Sequence, residues 1–275
     1  MVTESSYRLL LYNCLVPRPF NLHICQLKNN ALVAIAGFTL LFTLYHAAEY
    51  QILFRNSPLS FLAFQFLFFI AAYFIAKWQG KQGLAAWGLA IKKPFLKHLL
   101  PGMLMGAALY GTTYGLSLLL AIEHVAHVPG WYATIAPLSL FVFGNFFSSF
   151  SEDILTRGYV HNHLQGRVRN WVIILASAAV YLLNHIYRLD DGFITLAYLF
   201  LLGVLFVIPL ILTKRLWFTG GMHWIGNVTF YYTHEIVKTE QTAQQISPNH
   251  ILIFVILLFI PLNYLALKAA QLIEE

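Results

Sequence analysis

The sequence predicts an all-α, polytopic membrane protein: about eight transmembrane helices around a polar cavity at membrane depth. Three observations predict it. Of 275 residues, 59% are hydrophobic and 10% charged, far below the ~25% charge of a soluble domain. Apolar runs of the ~20 residues needed to cross a bilayer recur along the whole length. The basic residues also alternate from one loop to the next, as they do when successive spans return the chain to opposite sides of a membrane.

The runs lie at about 31–53, 58–76, 98–122, 133–160, 171–187, 193–213, 216–232 and 250–270. The fifth and seventh are short, and each holds a His. Residues 1–30 form a mixed N-terminal segment, cytoplasmic or interfacial, in which Pro17 and Pro19 oppose one continuous helix. Acidic Glu4 and the lack of a clean apolar stretch before Lys28 argue against a cleavable signal peptide. Residues 31–275 read as one helical membrane domain, without the interrupted repeats of transporters.

The net charge of +6 does not point to nucleic acid, because its distribution follows the spans. Arg55, Arg188 and Lys238 fall on one side and Arg157 lies within a helix. The rest of the 17 Lys and Arg fall on the other side, which predicts cytoplasmic N- and C-termini. The basic, amphipathic stretch Gly83–Lys97 is expected on that surface, with the Lys77–Lys97 loop near anionic headgroups. His124 and His127, beside Pro129-Gly130, read as an outer loop. Cys14 and Cys25 fall on the reducing side, where thiols are expected rather than a disulfide, and their spacing matches no zinc motif.

Glu152 and Asp153 stand inside the fourth run. Two adjacent carboxylates at membrane depth are costly, and such groups mark functional sites whose partners must be found. Asp153 and Arg157 are four residues apart on one helix face and can form an ion pair. Glu152, ~100° round the helix, is then the carboxylate left for chemistry. If the fourth and fifth runs form a hairpin turning near residue 168, Glu152 and His185 stand at one level, ~25 Å from the turn. His223 lies only ~12 Å into the seventh run. The levels agree if the fourth helix is unusually long and projects beyond the membrane. His223 and Asn227 share a face, as do Tyr181 and His185, whose tyrosine orients the imidazole or packs beside it. His46 and Glu49 stand near the end of the first run, mainly as packing residues. His161 and His163 follow the first motif and are expected on a solvated cytoplasmic face.

Three motifs thus follow in order on separate runs: Glu-Asp-x-x-x-Arg-Gly at 152–158, Tyr181-x-x-x-His185, and His223-x-x-x-Asn227. Together with the Arg215-Leu216-Trp217 approach to His223, they resemble the CPBP family, the type II CAAX prenyl endopeptidases and their bacterial bacteriocin-processing and self-immunity relatives. The family usually carries Glu-Glu where this chain has Glu152-Asp153, and commonly Phe where it has Tyr181. Neither departure removes a presumed catalytic group. The resemblance implies an intramembrane protease domain over 31–275, with its core motifs in 133–232. It also implies a catalytic set of Glu152 as general base, His185 positioning water or moving a proton, and His223 with Asn227 holding the oxyanion. Asp153, Arg157 and Tyr181 would support them.

The chain shows no Ser-His-Asp arrangement, and His234-Glu235 lacks the second His of a zinc helix because Lys238 stands there. A carboxylate in an apolar cavity beside an imidazole can act as the base instead. No cofactor is then required, but Glu152, His185 and His223 are equally a zinc set with an open fourth position. The expected partners are membrane lipids and a hydrophobic, lipidated or membrane-anchored peptide. Lean loops favour a bacterial inner membrane, with the endoplasmic reticulum the setting in a eukaryote. Two other classes compete: a non-catalytic immunity or scaffold protein of the same fold, and a proton-coupled transporter.

Overall fold

The computed structural model describes residues 19–91, 95–242 and 245–273, with side chains from residue 31 onward. The expectations for residues 1–18, the Cys14 and Cys25 thiols, and Lys92 and Lys93 fall outside these described parts. Among the described residues, eight main helices follow the eight apolar runs. They are α1 (Pro19–Leu53), α2 (Pro58–Trp78), α3 (Phe95–Leu119), α4 (Trp131–Leu164), α5 (Asn170–Asn184), α6 (Phe193–Thr213), α7 (Trp217–Tyr231) and α8 (Pro248–Ala269). Proline at the first helical position starts α2 and α8, where its missing N–H costs nothing. Ser247 and His250 close a reciprocal cap at the head of α8.

Five helices are long and apolar enough to cross a membrane: α1 over Ala31–Leu53, α2, α4, α6 and α8. This is fewer than the eight spans expected. Helices α5 and α7 have only 15 residues each, ~22 Å, short of the ~30 Å hydrocarbon core. Helix α3 has the length but dilutes its apolar residues with Lys97, His98 and a run of Gly, Thr and Ser. The chain is an integral membrane protein by its apolar helices. Phe66, Ile70 and Phe74 on α2 and Leu140 and Phe143 on α4 face outward, a continuous apolar exterior that lipid can cover.

Among the described residues, the fold is all-α apart from one short two-stranded pairing. Residues Glu123–His127 (β1) pair antiparallel with Lys238–Gln241 (β2), joining the α3–α4 and α7–α8 connections. His124 and His127 therefore sit in a strand rather than a loop. The backbone polar groups of these two connections are satisfied by each other.

Helix α4 runs 34 residues, ~51 Å, more than a bilayer requires, as expected of a helix that projects. Its far end is clamped by the stretch expected on the surface. Gly83–Trp87 instead forms a turn of 3₁₀ helix, and Trp87 is buried at 1% exposure. Its indole N–H donates to the Ala72 carbonyl (2.9 Å) and its ring stacks on Tyr159 of α4. A Cβ on Gly158 would stand 2.7 Å from the Trp87 carbonyl oxygen, so only glycine admits this approach. The next residues reach α7: Leu216 N–H donates to the Gly88 carbonyl (3.0 Å) and the Trp217 indole to the Ala90 carbonyl (3.0 Å). The start of α7 thus lies level with Gly158, six residues along α4 from Glu152. That brings His223 to the depth of Glu152 and removes the mismatch in levels.

His161 and His163 are also not solvated. His161 is buried, and the ring nitrogens of His163 meet the Tyr159 carbonyl (2.8 Å) and Gln79 Oε1 (3.1 Å). Lys81 donates to Asn162 on the same turn. Burial, with Arg167 adding like charge, lowers the Lys81 pKa from its ordinary value.

Helices α3 and α7 make the most extensive helix pair, and glycine permits it. A Cβ on Gly106 would run into the Met222 carbonyl, and one on Gly221 would stand 2.6 Å from the Leu99 carbonyl oxygen. Small residues let helix backbones approach where no hydrophobic force drives them together. Gly106→Leu is expected to destabilise the protein by ~1–3 kcal/mol or more through overpacking, read as a lowered unfolding midpoint in detergent. Gly111→Leu, whose Cβ meets open space, should leave the midpoint unchanged.

Candidate active site

Asp153 and Arg157 are both fully buried and form an ion pair one turn apart on α4. The guanidinium also donates to Thr156 Oγ1 (3.1 Å). Its flat face lies 4.4 Å over the Tyr181 ring of α5 and 4.9 Å over the Phe206 ring of α6. Cation–π attraction of this kind is worth ~2 kcal/mol or more when desolvated. Tyr181 therefore packs on Arg157 and beside His185, and its hydroxyl does not orient the imidazole. Its backbone carbonyl does, accepting from His185 Nδ1 at 2.8 Å.

Between Ile154 and Gly158 the α4 helix widens into a π turn, a distortion frequent at functional sites. The backbone groups it displaces are met by side chains. Thr156 Oγ1 donates to the Glu152 carbonyl (2.8 Å), and Ser177 of α5 donates to the Thr156 carbonyl (2.8 Å). The second bond ties α5 to the turn immediately after the two carboxylates.

Asp153 reaches a second partner across the helix interface. His223 Nδ1 stands 3.0 Å from Asp153 Oδ1. A carboxylate oxygen accepts, so this nitrogen carries the proton and Nε2 is left facing Glu152. His185 is set the same way, since the Tyr181 carbonyl also only accepts. Each imidazole is thus fixed in one orientation by what its Nδ1 holds, and both present Nε2 to one carboxylate.

That carboxylate, Glu152, is 5% exposed. Its Oε2 accepts from the Tyr45 hydroxyl (3.2 Å) and stands 3.6 Å from His223 Nε2. Its Oε1 accepts from the Asn184 side-chain amide (3.4 Å) and stands 3.9 Å from His185 Nε2. The two imidazole distances exceed a direct hydrogen bond but let one water touch both a carboxylate oxygen and a ring nitrogen. Glu152, Asp153, Arg157, Tyr181, His185 and His223 therefore meet in one cluster. Asn227 lies one turn beyond His223, half-buried, with no side-chain hydrogen bond among the described residues.

Tyr45 and Asn184 were not singled out from the sequence. Asn184 precedes His185 at the end of α5, and the helix stops there, so successive residues turn both polar groups to the same centre. Tyr45 precedes His46 on α1, and the polar cluster Tyr45, His46, Glu49 in an apolar run was the available signal. His46 joins indirectly. Its Nε2 is 3.0 Å from the Asn184 carbonyl oxygen and its Nδ1 is 2.9 Å from that of Phe42. Zinc would find imidazoles already held at Nδ1, as metal-bound histidines usually are. Among the described residues, however, no three His, Cys, Asp or Glu are grouped as a metal set.

A groove of about 350 Å³ opens beside the cluster, between α1, α2 and α4. Ile52, Leu62, Leu140 and Phe141 make its walls mostly apolar, and Glu49, Asn145 and Ser148 supply a polar inner end. Ser148 is one turn from Glu152 on α4, and Glu49 one turn from Tyr45 on α1.

Residues 134–229 match the family model described as type II CAAX prenyl endopeptidase Rce1-like. The matched stretch covers 96 of the 275 residues, so the likeness is one of that segment. It begins in α4, ends in α7, and contains every cluster residue except Tyr45. No curated protein and no solved structure matches the chain.

Removing one partner of a buried ion pair leaves the other charge uncompensated. Asp153→Ala is expected to destabilise the protein by ~3–5 kcal/mol. The double variant Asp153→Ala, Arg157→Met should be the more stable of the two, as measured by unfolding in detergent.

Proposed function

Taking the Rce1-like segment as the premise, we propose that this chain is an intramembrane endopeptidase that cleaves a membrane-associated peptide with water activated by Glu152. The observation that carries the reading is the convergence on Glu152. One enclosed carboxylate holds a hydroxyl and an amide donor on its two oxygens, with two oriented imidazoles just beyond contact. As a carboxylate, Glu152 can take a proton from water. A peptide carbonyl placed beside the cluster is attacked as the water proton passes to Glu152. The oxyanion that forms is held by the Asn227 side-chain amide and by His223 as an imidazolium, whose Nε2 donates while Nδ1 stays on Asp153. Glu152 then passes the water proton to the leaving amine, directly or through His185 Nε2, so one water is consumed and an acid and an amine are released.

The groove supports a hydrophobic or lipidated substrate segment, because its walls are apolar and lead from the helix exterior to the cluster. The charge distribution supports cytoplasmic termini. The glutamate chemistry needs no metal. Zinc chemistry would use the same Glu152, His185 and His223.

Purified protein in detergent or vesicles, given fluorogenic membrane peptides, tests the reading. Glu152→Gln is expected to lose ~10²–10⁴-fold in kcat and Asn227→Ala ~10²–10³-fold, with KM little changed. Activity that survives a strong chelator supports the metal-free route, and loss restored by zinc assigns the metal one. Wild-type rates in the Glu152→Gln variant would sink the proposal.

A further inference from the structure

Glu49 is a carboxylate that the cluster does not use. It lies on α1 one turn beyond Tyr45 and lines the polar inner end of the groove. Its Oε2 is closed off from solvent and has no hydrogen-bond partner among the described residues. The nearest cation candidate is His46, whose Nε2 is 3.7 Å away. That nitrogen is committed to the Asn184 carbonyl at 3.0 Å, so it does not donate to Glu49. A carboxyl group enclosed at the end of an otherwise apolar wall is costly to ionise unless a cation comes to lie beside it.

The charges around it say what that cation is. Glu49 lines the inner end with Glu152 close enough to interact with it, and the fully buried guanidinium of Arg157 is paired with Asp153. A cation entering beside these low-dielectric walls would be weakly screened and would favour the ionised form of Glu49. Asn145 does not neutralise it, since its Oδ1 accepts from Ser149. Glu49 is also four residues from the end of α1, ~6 Å along the axis. A Lys or Arg at that depth keeps its stem in the apolar groove and its charge near the membrane surface.

We propose that Glu49 is a specificity-determining residue that pairs with a basic side chain, Lys or Arg, on the substrate segment seated in the groove. This rests on the proposed peptidase reading for the identity of the ligand, but not on turnover for its test. The segment is apolar apart from that one cation, which lies a few residues from the bond presented to Glu152.

The test uses three matched fluorescent membrane peptides that differ at one position: Lys, norleucine or Glu. Binding to the full-length protein in vesicles is measured by anisotropy, with the Glu152→Gln variant used to exclude cleavage. The Lys peptide is expected to bind at least tenfold more tightly than the norleucine peptide, and the Glu peptide most weakly. Glu49→Gln should abolish the preference while leaving binding of the norleucine peptide unchanged, which also shows that the variant is folded. Glu49→Lys should reverse the order of the Lys and Glu peptides. Equal binding of the three peptides, or a Lys preference that persists in Glu49→Gln, overturns the proposal. Preferential binding without cleavage by the wild type overturns the peptidase reading and leaves this one standing.

Discussion

A carboxylate sealed inside a helical membrane protein needs a counter-charge, and Asp153 meets that need with Arg157. The pair does more than neutralise itself. Arg157 lies over Tyr181 and Phe206, and Asp153 holds His223, so one ion pair on α4 is in contact with α5, α6 and α7. Pulling any of these helices away would expose a charge to an environment that cannot solvate it. The electrostatic cost of two buried charges thus becomes a constraint on how four helices are arranged, and Glu152 inherits its surroundings from it.

The division of labour between adjacent carboxylates follows from helix geometry. Successive residues differ by ~100° in direction, so Asp153 faces the guanidinium and His223 while Glu152 faces α1 and the end of α5. One is paired through Oδ1 with a guanidinium and an imidazole, and the other is held by neutral donors at hydrogen-bond length. The π turn that follows displaces backbone groups, and Thr156 and Ser177 satisfy them, which anchors α5 next to both carboxylates. On the α7 side, a Cβ on Gly220 would run into the Phe150 ring of α4, so glycine there lets α7 come close enough for His223 to reach Asp153.

The Glu152 cluster and the groove share the α1–α4 boundary. Tyr45 and Glu49 are one turn apart on α1, and Ser148 and Glu152 one turn apart on α4. The same two helix faces that enclose the reacting carboxylate therefore also open into the groove. The groove is apolar along its walls and polar where Asn145, Glu49 and Ser148 line it, the last two one helix turn from Tyr45 and Glu152.

The sequence by itself determined the helix positions, the pairing of Asp153 with Arg157, the shared face of His223 and Asn227, and the length of α4. It also aligned Glu152 with His185 across a tight turn. All of these depend on hydrophobic periodicity, on spacing within one helix or on a single turn, which are local. Only the tertiary structure decided what depends on how distant helices rotate against one another. It brought Tyr45 to Glu152 from more than a hundred residues away and buried Trp87 in a stretch that reads as surface. It enclosed His161 and His163, and paired two distant connections as the antiparallel strands β1 and β2. It also left Asn227 without a side-chain hydrogen bond among the described residues, although it shares a face with His223. A side chain's neighbours across a helix interface are set by packing and by buried charge seeking partners, and neither is written in the spacing of residues along one helix.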